Sequence, residues 1–231
     1  MVKKMNKECQ SVQEPVFCII KFGELAHLES LLNKGELCFN STLLYNKMEQ
    51  SNPEKGDGYE GAEWVENIFI KEINFKHQKL GSFHFKPDTR RPFKFIQYNH
   101  NYLSCSFFII TAKDFERTDV FKLNRKMMEF GSHALVIKEP NRFLAQLKNA
   151  LDRTAYSYRA DRVEYRDLSI IGRHEMNPFI KKKEHRYQKE YRVILKNQLD
   201  RKYLRLGPIN EYAELISSES LVEGNWEVIR S

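Results

Sequence analysis

Residues 187–196, YQKEYRVILK, set a carboxylate, Glu190, at the entrance of a continuous apolar run. A segment this apolar, bounded by charges, reads as a central strand of a sheet. Side chains two apart share a strand face, so Gln188, Glu190 and Arg192 are expected on one side. Two readings are open at this point. Glu190 and Arg192 balance each other as an ordinary sheet ion pair, or the carboxylate belongs to a chemical site.

PVFCIIKF (15–22) is a second buried-strand pattern. From Glu24 to Asn33, Leu25, Leu28, Leu31 and Leu32 recur at helical spacing, and Gly35 supplies the stop. ELCFNS (36–41) reads as a strand, and Thr42 as the cap of a short helix, TLLYNKM. EWVENIFIKEINF (63–75) partly alternates, with SFHFK (82–86) as its expected hairpin partner. PFKFIQY, NYLSCSFFIIT and HALVIK (133–138) read as further strands, and RVEYRDL (162–168) as an edge strand. Val120 to Phe130 is expected to be helical, closed by Gly131, and Asn141 to Arg153 an amphipathic helix entered by Pro140. Helix and strand mix without strict βαβ alternation, which predicts an α+β fold. Residues 1–14 are expected to form a flexible terminus and 15–231 one domain.

The 231 residues carry a net charge of +7, and 41% are hydrophobic, enough to exclude a disordered chain. No apolar run approaches the roughly 18 residues a membrane span needs, and no secretory leader is recognisable, so a cytoplasmic chain without a membrane partner is expected. Cys9, Cys18, Cys38 and Cys105 form no CxxC pair and lie at no metal-ligand spacing from His. They read as reduced thiols, with no metal site. Phosphate-loop, zincin, hydrolase-elbow and dinucleotide-fold motifs are absent.

Basic runs occur at 181–189, 88–94 and 200–205. They nominate Arg90, Arg91, Lys181, Lys182, Lys183 and Arg186 as nucleic-acid contacts, with Tyr98, His100 and Tyr102 able to stack on a base. The competing reading is a solvated surface or a complement to an acidic protein. Ser104 and Ser106 share a strand face, and Lys21 ends the first strand. Asp57 and Glu60 fall in the turn-rich stretch 49–61, read as a solvated surface loop. Two functions compete on these residues alone: a metal-independent nuclease using His174, His185, Lys183 and Glu190, and a non-enzymatic binding protein.

Taken in order, the clusters resemble a large bacterial family associated with ADP-ribosyltransferase-like folds. Its members open with a Lys and an aromatic after a short strand, here Lys21 and Phe22, followed by a helix and a strand ending near Asn40 and Ser41. A loop similar to an N-D-P-x-E element is degenerate between Asn46 and Glu60. A serine strand, YLSCSFF, and MMEFGSHALVI (127–137) come next. The closing E-x-E-x-R-like element has Gln188 where the first Glu often stands.

The resemblance implies a split-sheet transferase with NAD as its substrate and no metal, and a toxin or anti-phage role with an antitoxin protein as partner. Glu190 and Gln188 would be catalytic: the carboxylate stabilises the ribosyl cation and holds the ribose 2′-hydroxyl, and Gln188 orients the acceptor. Lys21, Phe22, Asn40, Ser41, Tyr45, Ser104 and Ser106 would bind NAD, with Phe39 a further stacking candidate. A Gln two residues before the catalytic Glu accompanies amide or guanine acceptors, which with the basic surface favours nucleic acid. Lys21 departs from the Arg or His usual on the first strand of the better-known transferases.

Overall fold

The computed structural model describes residues 14–87, 90–99, 101–196 and 200–230. The first half of the chain runs β1 (Val16–Gly23), α1 (Leu25–Lys34), β2 (Glu36–Ser41), α2 (Thr42–Ser51), β3 (Ala62–Ile68), β4 (Ile73–His77), β5 (Gly81–Phe85), β6 (Phe93–Tyr98) and β7 (Tyr102–Thr111). The second runs β8 (Val120–Phe121), β9 (His133–Ile137), α3 (Pro140–Asp152), β10 (Tyr158–Arg162), β11 (Glu164–Arg166), β12 (Gly172–Glu175), β13 (Ile180–Lys182), β14 (Glu190–Lys196), β15 (Lys202–Arg205), β16 (Ala213–Ser217), α4 (Ser218–Glu223) and β17 (Trp226–Glu227). The fold is α+β with mostly antiparallel pairing, as the sequence predicts.

The main sheet has the order β10-β14-β7-β1-β9-β16, with β2 joining β7 and β15 joining β2. One face buries Ile19, Phe107, Ile109, Leu135, Ile137 and Val193 against α1 and α3, where Phe143 meets Phe107 edge to face at 5.3 Å. The other buries Cys18, Ile20, Phe108, Ile110 and Val136 against Met127 and the α4 residues Leu221 and Val222. Burial on both faces explains why these strands are continuously apolar.

On one edge, β7 is paired by β1 over Phe108–Thr111 and by β2 over Leu103–Ser104. Residues 105–107 lie between, with no strand partner on that edge among the described residues. The sheet is therefore split at β7. Lys21, at the end of β1, spans the gap: its ammonium donates to the Ser106 carbonyl at 2.7 Å and lies 5.2 Å from the centre of the Phe107 ring.

Several elements depart from the sequence reading. The stretch 63–75 is not one strand: β3 ends at Ile68 and pairs with β6 and β12, while β4 pairs with β5. Val120–Phe130 is a two-residue strand and a 3₁₀ turn over Arg125–Phe130, because Val120 and Phe121 pair with β17 while Met127 packs on the main sheet. The strand expected from Arg162 starts at Tyr158 and breaks at Val163. Thr42 is the first residue of α2 and Ser41 its cap position. Residues 1–13 of the expected flexible terminus lie outside the described residues; Glu14 is held by Arg162 and by the Lys113 amide. The thiols of Cys18, Cys38 and Cys105 are free, and Cys9 lies outside the described residues. Among the described residues no helix is long and apolar enough to cross a membrane.

Candidate active site

The split in the sheet opens a cleft on the face that carries Glu190. Cross-strand register sets Glu190 opposite Phe108 and Arg192 opposite Ser106. Ile20 lies opposite Phe108 on the far side of β7, so this row of side chains lines one wall. The cleft encloses about 110 Å³. It adjoins a second cleft of about 520 Å³, and both are lined by Lys21, Phe22 and Tyr45.

Glu190 is 7% exposed, and both carboxylate oxygens are engaged. Oε1 accepts from Lys181 Nζ at 2.8 Å and Oε2 from Arg192 Nη2 at 3.0 Å. Arg192 reaches further, from Nη1 to both oxygens of Glu60 at 3.0 and 3.1 Å and to the Pro178 carbonyl at 2.6 Å. Tyr102 donates to Glu60 at 3.0 Å. Asp57, also buried, lines the same cleft. Burial alone would raise the Glu190 carboxyl, but Lys181 and Arg192, aided by the Ser106 hydroxyl, hold it far below the usual carboxylate range. Glu60 moves the opposite way: its burial, with Asp57 and Glu190 nearby, outweighs Arg192 and raises it. Two carboxylates share one arginine, and their surroundings drive their affinities for the proton apart.

Gln188 reaches the cleft by a route the sequence conceals. It is not on the strand but closes a 3₁₀ turn over Lys183–Gln188, and Lys189, left-handed at φ 40°, turns the chain into β14. Its amide is clamped. Oε1 accepts from Lys181 at 2.5 Å, and Nε2 donates to the Glu54 carbonyl at 2.9 Å and the Tyr187 hydroxyl at 3.1 Å. Gln188 therefore positions Lys181 first, and any acceptor competes for what remains of the amide oxygen.

Of the expected NAD contacts, Lys21, Phe22, Tyr45, Ser104 and Ser106 line the first cleft. Asn40 lines the second, its side-chain oxygen accepting from Arg201 at 2.9 Å. Ser41 lines neither. Phe39 is fully buried in the core between sheet and helices, so it does not face the cleft.

Two readings need larger correction. Lys181, assigned to the basic surface, is 4% exposed and points into the cleft, because β13 pairs with β11 and lays it beside Gln188 and Glu190. The rest of that run divides: Lys182 lies 4.4 Å from the centre of the Tyr59 ring, Lys183 pairs with Asp167, and Arg186 is exposed. The turn-rich stretch expected in solvent is instead partly buried, with Asp57 and Glu60 at 2% and 4% exposure. Gly61, at φ 82°, turns the backbone into β3, and Arg192 and Tyr102 receive Glu60.

Lys181, Asp57, Glu60 and Lys55 are site residues that sequence reasoning did not place. Only Lys181 left a trace: it directly follows the apolar pair Phe179-Ile180. The nuclease set does not come together. His174 is half-buried and bonded to the Ile170 carbonyl at 2.8 Å, Lys183 is taken by Asp167, and only His185 lies beside Gln188. Arg90 and Arg91 are exposed before β6. Tyr98 is exposed, Tyr102 is buried against Glu60, and His100 lies outside the described residues. No group able to hold a metal is found among the described residues. Comparison of the chain with protein-family models, curated proteins and solved structures returns no match.

Proposed function

We propose that the cleft is the active site of an NAD-dependent ADP-ribosyltransferase with nucleic acid as acceptor. The observation that carries the reading is convergence. Lys21, Phe22, Tyr45, Ser104, Ser106, Gln188 and Glu190, spread over 170 positions of sequence, meet around one cleft with an ionised carboxylate in it. The split between β1 and β2 is what the transferase resemblance implies of the fold.

In this chemistry the bond between ribose C1′ and the nicotinamide nitrogen breaks. The electron pair leaves with neutral nicotinamide, and positive charge builds on the ribose. An acceptor nucleophile bonds to C1′ and releases its proton to solvent. A fixed anion beside C1′ stabilises that charge, and Glu190 is held anionic for this purpose. A carboxylate offers about four lone-pair sites. Lys181, Arg192 and Ser106 occupy three, which leaves one for the ribose 2′-hydroxyl. The smaller cleft suits the nicotinamide end, and the adjoining larger one has room for the rest of a dinucleotide. A toxin or defence role with an antitoxin partner in the cytoplasm follows from the resemblance alone.

The test is incubation of the purified chain with adenylate-labelled NAD and, separately, RNA, DNA and cell protein, beside Glu190→Gln. The expected result is label on nucleic acid that Glu190→Gln lowers by about a hundredfold or more, the scale of losing one charge-stabilising group. Absence of both label transfer and nicotinamide release from folded protein would overturn the reading and favour a binding protein. Nucleic acid degraded without NAD would favour a nuclease.

A further inference from the structure

The segment from Phe69 to Tyr98 holds seven Lys or Arg and two acidic residues, a net of +5 out of +7 for the whole chain. It also holds six Phe and one Tyr, and six of these seven rings are more than 40% exposed while Phe93 is 39% exposed. Its centre is the β4–β5 hairpin, exposed along its full length. Register sets Ile73 against Phe85 and Phe75 against Phe83, so one face is an aromatic ladder. Phe75 and Phe83 lie 5.8 Å apart, and His77 stacks on Phe75 at 6.3 Å with the rings 3° from parallel. The other face carries Asn74, Lys76, Ser82 and His84. Isolated two-stranded hairpins with bare aromatic faces are marginal in water, and an exposed apolar patch of this kind marks a contact surface.

We infer that the β4–β5 hairpin is a docking platform for single-stranded nucleic acid. Bases stack on the Phe75, His77 and Phe83 rings, and phosphates meet Lys79 at the tip and Lys86 beyond β5, with Lys76 on the opposite face adding to the positive field. The charge decides among the occupants. A second copy would bring +5 against +5, so the partner is a polyanion. An anionic membrane fits less well, since the hairpin tip sets a single exposed apolar side chain, Leu80, beside Gln78 and Lys79, and His77 accepts from the Lys79 and Leu80 amides. Inserting hairpins need their apolar side chains at the tip, whereas here the rings lie along the strands between cations. Stacking and phosphate contact together are how single strands are bound without sequence preference, and duplexes hide the base faces that the ladder would meet.

The inference takes from the proposed reaction only its acceptor class. Binding requires neither NAD nor Glu190, so failed label transfer and failed binding are separate results. The experiment is fluorescence anisotropy of the full chain, without NAD, against labelled single-stranded RNA and DNA of about 15 nucleotides, the matching duplex, and phosphatidylserine vesicles. The double variant Phe75→Leu/Phe83→Leu keeps apolar area and removes the ring faces; thermal melting checks its fold. Expected are tightest binding to single strands, an affinity that falls with salt, and a loss of roughly tenfold or more in the double variant. Absent single-strand binding, equal affinity for the duplex, unchanged affinity in the folded double variant, or preferential capture by vesicles would each overturn it.

Discussion

Glu190 is an anion in a place where anions are costly. Removing a charge from water costs several kcal/mol, and the site offsets this only because Lys181 and Arg192 each give the carboxylate a hydrogen-bonded ion pair. Glu190→Gln would leave the buried Lys181 without a carboxylate, while Arg192 keeps Glu60, and is expected to destabilise the protein by about 3 kcal/mol. Adding Lys181→Met should recover part of that loss, and a urea-denaturation cycle of the two single variants and the double measures the coupling. The same pair fixes the pH response. Because the folded carboxyl is held below its unfolded value of about 4.3, its stabilisation is complete above that pH and declines as pH falls through and below it. The gap between wild type and Glu190→Gln should therefore be widest near neutrality and narrow below about pH 4. A gap constant with pH would contradict this. Glu60, raised instead, acts in the opposite sense, favouring the fold more as pH falls.

At the scale of elements, the site depends on where β1 stops. Gly131, at φ 153°, follows the 3₁₀ turn and lies directly against Gly23, the last residue of β1. A Cβ placed on it would stand 2.2 Å from the Gly23 carbonyl carbon and 2.3 Å from its oxygen. These are backbone atoms that cannot swing aside. Gly131→Ala should cost about 2 kcal/mol or more and displace the adjoining Lys21 and Phe22, seen as a lower denaturation midpoint. Gly81→Ala, in open space at φ 83°, should cost about 1 kcal/mol. The elements also show where local pattern suffices. β2 and β14 coincide with the runs ELCFNS and EYRVILK, and α3 begins at its proline. The expected helix over Val120–Phe130 and the long strand over 63–75 failed for a shared reason. Their apolar residues serve different neighbours, β17 and the main sheet in one case, β6 and β5 in the other, and periodicity cannot assign partners.

For the whole molecule, charge is unevenly spread: the cleft collects buried pairs of opposite sign, and the β4–β5 region keeps most of the excess positive charge. Lys79→Gln/Lys86→Gln is expected to make the logarithmic salt dependence of single-strand affinity shallower by about 1.4, from about 0.7 per phosphate contact. An unchanged slope would place the contacts elsewhere.

The α+β class, the central place of the Glu190 strand, the helix stop at Gly35, and the polar residues of β1, β7 and β14 that meet in the cleft were legible in the sequence. These follow from local rules, since alternation, capping and continuous apolar runs act within a few residues of each other. That Lys181 faces inward, that Glu60 is buried against Arg192, and that Gln188 arrives from a 3₁₀ turn depends on long-range packing. A lysine or glutamate is written the same way whether solvent or an opposite charge receives it. The partners here lie 9 and 132 positions away, so the choice belongs to the packing of the whole chain.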